Sequence, residues 1–286
     1  MKNLSQLPSS VFISLATALV LLSSGYSSAS ETRVSAERSI HTGFNTLGVN
    51  GRILHVETEN GDIQFKATDA DGITVDAQIV VYGRQIETCE QLISGVQIKV
   101  EVVGDIIEIV ARKPRKFGYG YSITYGICAP RRLGVHAETV NGELLVMGAT
   151  GPITLESMNG AVRAIETRGL IDASTTNGSV YLVQIAAPSI KASTVNGRVD
   201  CSVRGDAPYK IDVSTVNGSV EISLPSRIDA TIKAETVNGG IQVDLGSGRV
   251  ASKSRGRVEM RIGGGKSDYE FSSVNGAISV LVAQAD

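Results

Sequence analysis

From residue 133 onward, apolar and polar positions alternate in short runs, and each run meets the same interruption. The interruption is Asn-Gly, with Thr or Ser two positions before the Asn. Seven copies occur, and their asparagines are Asn141, Asn159, Asn177, Asn196, Asn217, Asn238 and Asn275. The steps between them are 18, 18, 19, 21, 21 and 37 residues. A period near twenty marks one small unit stacked repeatedly. Four residues before each Asn stands an apolar residue: Ala137, Leu155, Ala173, Ala192, Val213, Ala234 or Phe271. Two and four residues after each Gly stand pairs such as Val180 and Leu182, Val199 and Cys201, and Val220 and Ile222. Period-two alternation on both sides of a corner predicts two short strands, each with one inward face. Glu138, Ser174 and Glu235, three before Asn, are predicted to face outward.

Asn-Gly between alternating strands is also the signal of a type I′ hairpin, so an up-and-down sheet is one architecture this pattern allows. A β-solenoid is the other. Its coils stack about 4.8 Å apart with like on like, which gives a reason for identical residues at each corner. Hydroxyl and Asn columns favour the solenoid, with about 20 residues per coil. Stacked Asn amides can hydrogen-bond along the column, and Asn tolerates positive φ. The long last step predicts one weaker coil around Ser252–Arg261.

Residues 31–132 are less regular. Strand-like runs are Ile53–Thr58, Ile63–Thr68, Ile73–Tyr82, Val96–Val102 and Ile106–Arg112. Thr58-Glu59-Asn60-Gly61 is a degenerate early copy of the repeat. Arg84–Ile93 is the one good helix candidate, with Gly95 placed to cap it. The expected organisation is a signal peptide at 1–30, an irregular β-rich part with one short helix at 31–132, and the repeat array at 133–286.

The signal peptide rests on Lys2, the apolar run Val11–Leu22 and the small residues Ser28-Ala29-Ser30. It implies export, to the periplasm or cell surface, with no transmembrane segment left after removal. A net charge of −2 gives no field for nucleic acid. Of the three cysteines, Cys201 is in phase with Val199 and Val203 and is expected inward and free. Cys89 and Cys128 are then expected to pair as a disulfide.

The Thr-Val-Asn-Gly-x-Val units resemble a bacterial exported family of candidate adhesins with β-strand repeats. The approach Tyr125-Gly-Ile-Cys-Ala-Pro130, followed by Leu133-Gly-Val-His-Ala-Glu-Thr, resembles that family's lead-in. Gly263-Gly-Gly-Lys-Ser-Asp-Tyr-Glu-Phe-Ser-Ser-Val-Asn-Gly resembles its final coil. The resemblance spans roughly residues 40 to 284. It implies a right-handed parallel β-helix at the cell envelope, in some members tied to envelope stress, and it brings no catalytic residues.

Candidate chemistry is sparse. His41, His55 and His136 lack ligand spacing, so no metal site is expected. Gly263-Gly-Gly-Lys-Ser hints at a phosphate loop, but Met260 stands where the first Gly of that pattern belongs. No cofactor is expected. The most unusual stretch is Arg112, Lys113, Arg115 and Lys116 followed by Phe117, Tyr119 and Tyr121. Cations beside rings suit an anionic envelope polymer or a surface protein, and Arg112, Lys113, Arg115, Lys116, Tyr119 and Tyr121 are the candidate ligand residues. The favoured reading of the same stretch is nonetheless a plain hairpin with buried rings and a charged edge. Asp172, Lys191, Asp212 and Lys233 share the column five before Asn and read as a charge ladder between coils. The reading is an exported, non-enzymatic, adhesin-like module. A polysaccharide-active β-helix enzyme and a purely structural spacer are the alternatives.

Overall fold

Each repeat folds as two short strands meeting at the Asn-Gly corner. Ile171–Asn177 is followed by Val180–Ile185, and the next coil repeats this with Ser189–Asn196 and Val199–Val203. The computed structural model describes residues 20–21, 34–45, 51–205, 208–245, 250–253 and 256–283. Coils pair in parallel, like on like: Thr175 on Thr194, Asn177 on Asn196, Leu182 on Cys201. The strands before and after Asn-Gly lie in different sheets, of eleven and thirteen described strands respectively, so the corner is not a hairpin. The fold is an all-β solenoid with two sheets facing one core. The inward columns foreseen four before Asn and two and four after Gly are all buried.

Three contacts make the corner the same in each coil. First, a Cβ added to Gly160, Gly178, Gly197 or Gly218 would lie 1.8–2.0 Å from the Gly carbonyl oxygen of the preceding coil, so only Gly fits. Second, the buried hydroxyls of Thr175, Thr194 and Thr215 donate to those same Gly carbonyls at 2.8–3.0 Å. Third, each Asn amide donates to the Asn of the preceding coil. Asn159 donates to Asn141, Asn177 to Asn159, Asn196 to Asn177 and Asn217 to Asn196, all at 2.8–2.9 Å. Among the described residues only Glu166 and Gln184 are non-glycines with positive φ. The ladder asparagines therefore keep ordinary backbone geometry, and their identity follows from side-chain bonding alone.

Both ends of the stack depart from chain order. The coil Ser267–Asn275 and Ile278–Val282 does not follow the coil of Asn238. It inserts between the coils of Asn217 and Asn238, so Asn275 bonds to Asn217 and Asn238 bonds to Asn275. The weaker coil expected around Ser252–Arg261 is instead two antiparallel strands, Val250–Lys253 and Gly256–Ile262, which edge the two sheets. At the other end Asn141 donates to Asn60 at 2.9 Å, so the degenerate early copy is a full member of the ladder. The coil of Ile106–Arg112 and Gly120–Pro130 stacks outside it. Antiparallel strands Val34–Asn45, Gly72–Gly83 and Gln97–Val103, with the helix Ile86–Ser94 capped at Gly95, complete that end. Both sheets run across residues 132 and 133 without a break. Of the expected signal peptide, only Val20–Leu21 is described, paired antiparallel with Glu37 and Arg38; the rest lies outside the described residues.

The expected disulfide is a correction. Cys89 and Cys128 are both free. The Cys89 thiol contacts the Val34 carbonyl, and Val34 pairs with Gly83. Cys128 pairs with Thr74, on the same strand as Gly83. Nine extended residues separate Gly83 from Thr74, about 30 Å at roughly 3.3 Å each, whereas a disulfide needs Cα atoms within about 7 Å. Cys201 is fully buried, and burial pushes its thiol up to about 12, so it is an inert core residue.

Candidate interaction surface

The residue immediately before each ladder Asn points out of the stack. In spatial order these positions carry Glu59, Val140, Met158, Thr176, Val195, Val216, Val274 and Val237. The six apolar ones are 38–61 % exposed, which makes an apolar stripe beside the Asn ladder, interrupted only at Thr176. An amide has two N–H donors and an oxygen with two lone pairs. Along the array from Asn159 to Asn217 the ladder uses one donor and one acceptor site of each amide, and these residues are exposed. The edge therefore offers apolar contacts and hydrogen-bonding groups, repeated once per coil.

The basic, ring-rich segment lies at one end of this stripe. Asn60, the end of the ladder, donates to the Tyr121 carbonyl at 3.3 Å, and Lys113 pairs with Glu59 at 3.0 Å. Most of the predicted ligand residues are held by the fold itself. Tyr121 is buried, and its hydroxyl donates to the Pro114 carbonyl at 2.5 Å. Burial, then the Cys89 thiol nearby, raises its pKa above the ordinary tyrosine value. Tyr119 packs on Gly83, where a Cβ would meet its ring at 2.0 Å. Arg112 pairs with Glu101 at 3.0 Å. Lys113 and Lys116 sit over the rings of Tyr121 and Tyr119, 5.7 and 5.4 Å from the centroids. Arg115, Lys116 and the fully exposed Phe117 are what the segment presents outward. The tyrosine rings are packed, as the hairpin reading expects, while Arg112, Arg115 and Lys116 are exposed, Arg112 in its pair with Glu101.

Three further places hold polar groups. A shallow groove of about 330 Å³ runs beside the stripe and contains Glu57, Glu138 and Glu156, in register on successive coils. No aromatic side chain lines it. A groove of about 690 Å³ lies at the opposite corner, with Arg131, Arg168 and Arg204 in its wall. Arg131 is paired there with Asp69 at 2.8 Å. The loop Gly263–Gly265 does turn its N–H groups toward one point, but Asp229 fills it. Its carboxylate accepts from Gly265 and Lys266 at 2.6 and 3.4 Å, so no phosphate need be invoked.

A family model matches residues 54–281, the whole stack from the first coil to the last. The chain belongs to the Toastrack DUF4097 family. Solved structures with a similar course include a candidate cell adhesion protein from Clostridium sporogenes ATCC 15579, at 11 % identity, covering 94 % of this chain and all of that one, TM-score 0.35. A candidate adhesin from Bacteroides fragilis NCTC 9343 is similar at 14 % identity over 85 % of this chain and 96 % of the other, TM-score 0.39. One from Parabacteroides merdae ATCC 43184 is similar at 10 % identity, over 87 % and 96 %, TM-score 0.36. At these identities and scores none carries a role to this chain. No curated protein matches it.

Two features of this Toastrack chain escaped the sequence reading. The stripe did so because valines in strands read as core; the available signal was the repeated apolar residue directly before Asn, out of phase with the inward positions. The other is a histidine pair. His55 and His136 occupy the same register on adjacent strands although 81 residues separate them in the chain. Among the described residues no helix is long and apolar enough to cross a membrane.

Proposed function

We propose that this Toastrack chain is an exported, non-enzymatic, adhesin-like module of the cell envelope that binds an extended envelope polymer along its Asn-ladder edge. The observation that carries this reading is the exposed stripe from Val140 to Val237 beside the amide ladder. A ligand with its own repeat can meet one apolar and one amide group per coil, so weak contacts add over the length of the edge. Exposed cations at the Asn60 end, Arg115 and Lys116, suit anionic groups on such a polymer. A role in envelope stress is consistent with this location.

The test is retention of the protein on purified envelope fractions, at low and high salt. Replacing Val195, Val216 and Val237 with Ser is expected to abolish most retention without lowering stability much, because all three side chains are already exposed. Replacing Arg115 and Lys116 with Ser is expected to remove the salt-sensitive part only. Retention unchanged in the triple variant overturns the edge as the binding site. No retention of the parent protein on any fraction favours the spacer reading.

A second reading, a polysaccharide-active enzyme, has one observation in its favour: Glu57, Glu138 and Glu156 share the 330 Å³ groove. Paired carboxylates do this chemistry when about 5–9.5 Å apart across a sugar. Release of reducing ends from envelope polysaccharide, lost in Glu138→Gln, would establish it.

A further inference from the structure

We infer that His55, His136 and Glu138 form a site for a zinc-type divalent ion, joining the first coil to the repeat array. The strands Ile53–Asn60 and Gly134–Asn141 are neighbours, with His55 beside His136 and Glu57 beside Glu138. The two imidazole rings lie 4.9 Å apart, centroid to centroid. The Glu138 carboxylate oxygen Oε1 stands 3.5 Å from Nε2 of His55 and 3.0 Å from Nε2 of His136. All three ligand atoms fall within 4.8 Å of one another.

Both Nε2 atoms are shielded from solvent and make no hydrogen bond. A shielded nitrogen without an aligned hydrogen bond is unfavourable, and here two of them crowd one carboxylate oxygen. Around a tetrahedral zinc with ligand atoms about 2.0–2.2 Å away, those atoms stand roughly 3.3–3.6 Å apart. Of the two contacts to Glu138, the 3.5 Å one falls in that range and the 3.0 Å one just below it. With all three atoms within 4.8 Å, side-chain rotations can bring the set to that spacing. The neighbouring positions add negative charge. Glu108 is in register with His55, and Glu57 and Glu156 flank Glu138 on either side. This field favours a cation. Two imidazoles with a carboxylate suit zinc and its first-row neighbours, whereas calcium and magnesium prefer oxygen ligands throughout.

The site has a structural consequence. The segment between the two strands leaves the stack, builds the end of the solenoid and returns. An ion bound here would fasten the point of departure to the point of return. Three protein ligands leave a fourth position for water or a ligand group.

The experiment uses the full chain, stripped with a chelator and titrated with zinc chloride in a calorimeter, with thermal melts alongside. The expected result is about one ion per chain and a melting temperature raised by several degrees. His55→Ala and His136→Ala should each weaken binding at least tenfold, and His41→Ala, at a remote His–Asp contact, should leave it unchanged. Calcium chloride should have no effect. Glu138→Gln, which keeps shape, is the variant to read if an alanine variant fails to fold. Absence of zinc binding up to about 100 µM, or binding that survives in His55→Ala, His136→Ala and Glu138→Gln together, overturns the proposal and leaves the trio as a plain histidine–carboxylate contact.

Discussion

The two corners of each coil obey different rules. At the Asn-Gly corner the same three residue types recur in coil after coil. At the opposite corner Gly148, Glu166, Gln184 and Gly205 carry the left-handed turn in successive coils, with φ of 73, 54, 55 and 79°. Backbone bonds link coils there as well, for example from Gly148 N–H to the Ile165 carbonyl at 3.0 Å and from Glu166 N–H to the Val183 carbonyl at 2.9 Å. The difference lies in what touches. At the Asn-Gly corner side chains bond to their own kind in coil after coil, and the Gly of every copy lies too close to the preceding backbone for a Cβ. At the other corner the bonds are mostly backbone, and the few side-chain bonds, such as Arg204 to Gln184, are not like on like. The turn position itself takes Gly, Glu or Gln, although nearby Gly151 and Gly169 also lie too close to the preceding coil for a Cβ. Repetition in sequence therefore marks like-on-like contact, not repetition of shape.

The largest expected effect breaks this contrast directly. A Cβ at position 197 would lie 1.9 Å from the Gly178 carbonyl oxygen, while one at position 205 meets nothing within 4 Å. Gly197→Ala must push two coils apart and lose their bonds, at about 3 kcal/mol or more. Gly205→Ala loses only the ease of a left-handed turn, about 1 kcal/mol. Urea unfolding of the two variants gives the comparison. Equal losses would mean that close approach does not explain the invariant Gly.

What was legible in the sequence follows the same division. The Asn and hydroxyl columns and the inward faces could be read because each copy supplies its own partner. Cys201 was placed correctly by phase with Val199. The stacking order at the far end could not be read, because Ser267–Val282 has the same pattern as any other coil and would stack on any of them. The antiparallel strands Val250–Lys253 and Gly256–Ile262 pair with Ile241–Asp244 and with Ala230–Thr236. They cover the outer edge of the Asn238 coil and leave its other face to Ser267–Val282, and no repeat pattern announces that pairing. Cys89 and Cys128 were paired by elimination, with no local pattern to place either, and the structure separates them. His55 and His136 meet only because the chain returns to the first coil after building one end.

A smaller effect uses two buried threonines. Thr194 donates to the Gly178 carbonyl at 2.8 Å, at the Asn-Gly corner. Thr167, at the opposite corner, is fully buried and its hydroxyl has no partner. Valine has nearly the same shape as threonine. Thr194→Val removes a made bond and leaves a carbonyl less well satisfied, a loss of about 1–2 kcal/mol. Thr167→Val removes an unpaired polar group and should raise stability by up to about 1 kcal/mol. Opposite signs in thermal or urea unfolding are the expected result. A matching loss at Thr167 would show that its hydroxyl is bonded in solution, to water or otherwise.

The smallest effect sharpens the contrast at the turn itself. Gln184 holds φ 55° with a full side chain, where two other coils use Gly. Left-handed geometry costs a residue with a Cβ about 1–2 kcal/mol. Glycine avoids that strain but loses about 0.5–1 kcal/mol through the greater freedom of the unfolded chain. The contacts at stake are slight, because the Gln184 amide oxygen accepts only a 3.3 Å bond from exposed Arg204. Gln184→Gly should therefore stabilise by about 0.5 kcal/mol. The same exchange across the coil, Asn177→Gly, removes one bond to Asn159 and one from Asn196 with no strain to relieve, since Asn177 has ordinary φ. It should destabilise by about 1–2 kcal/mol. A Gln184→Gly variant less stable than the parent would show that the side chain, not the turn, decides that position, and the two corners would then differ less than their sequences do.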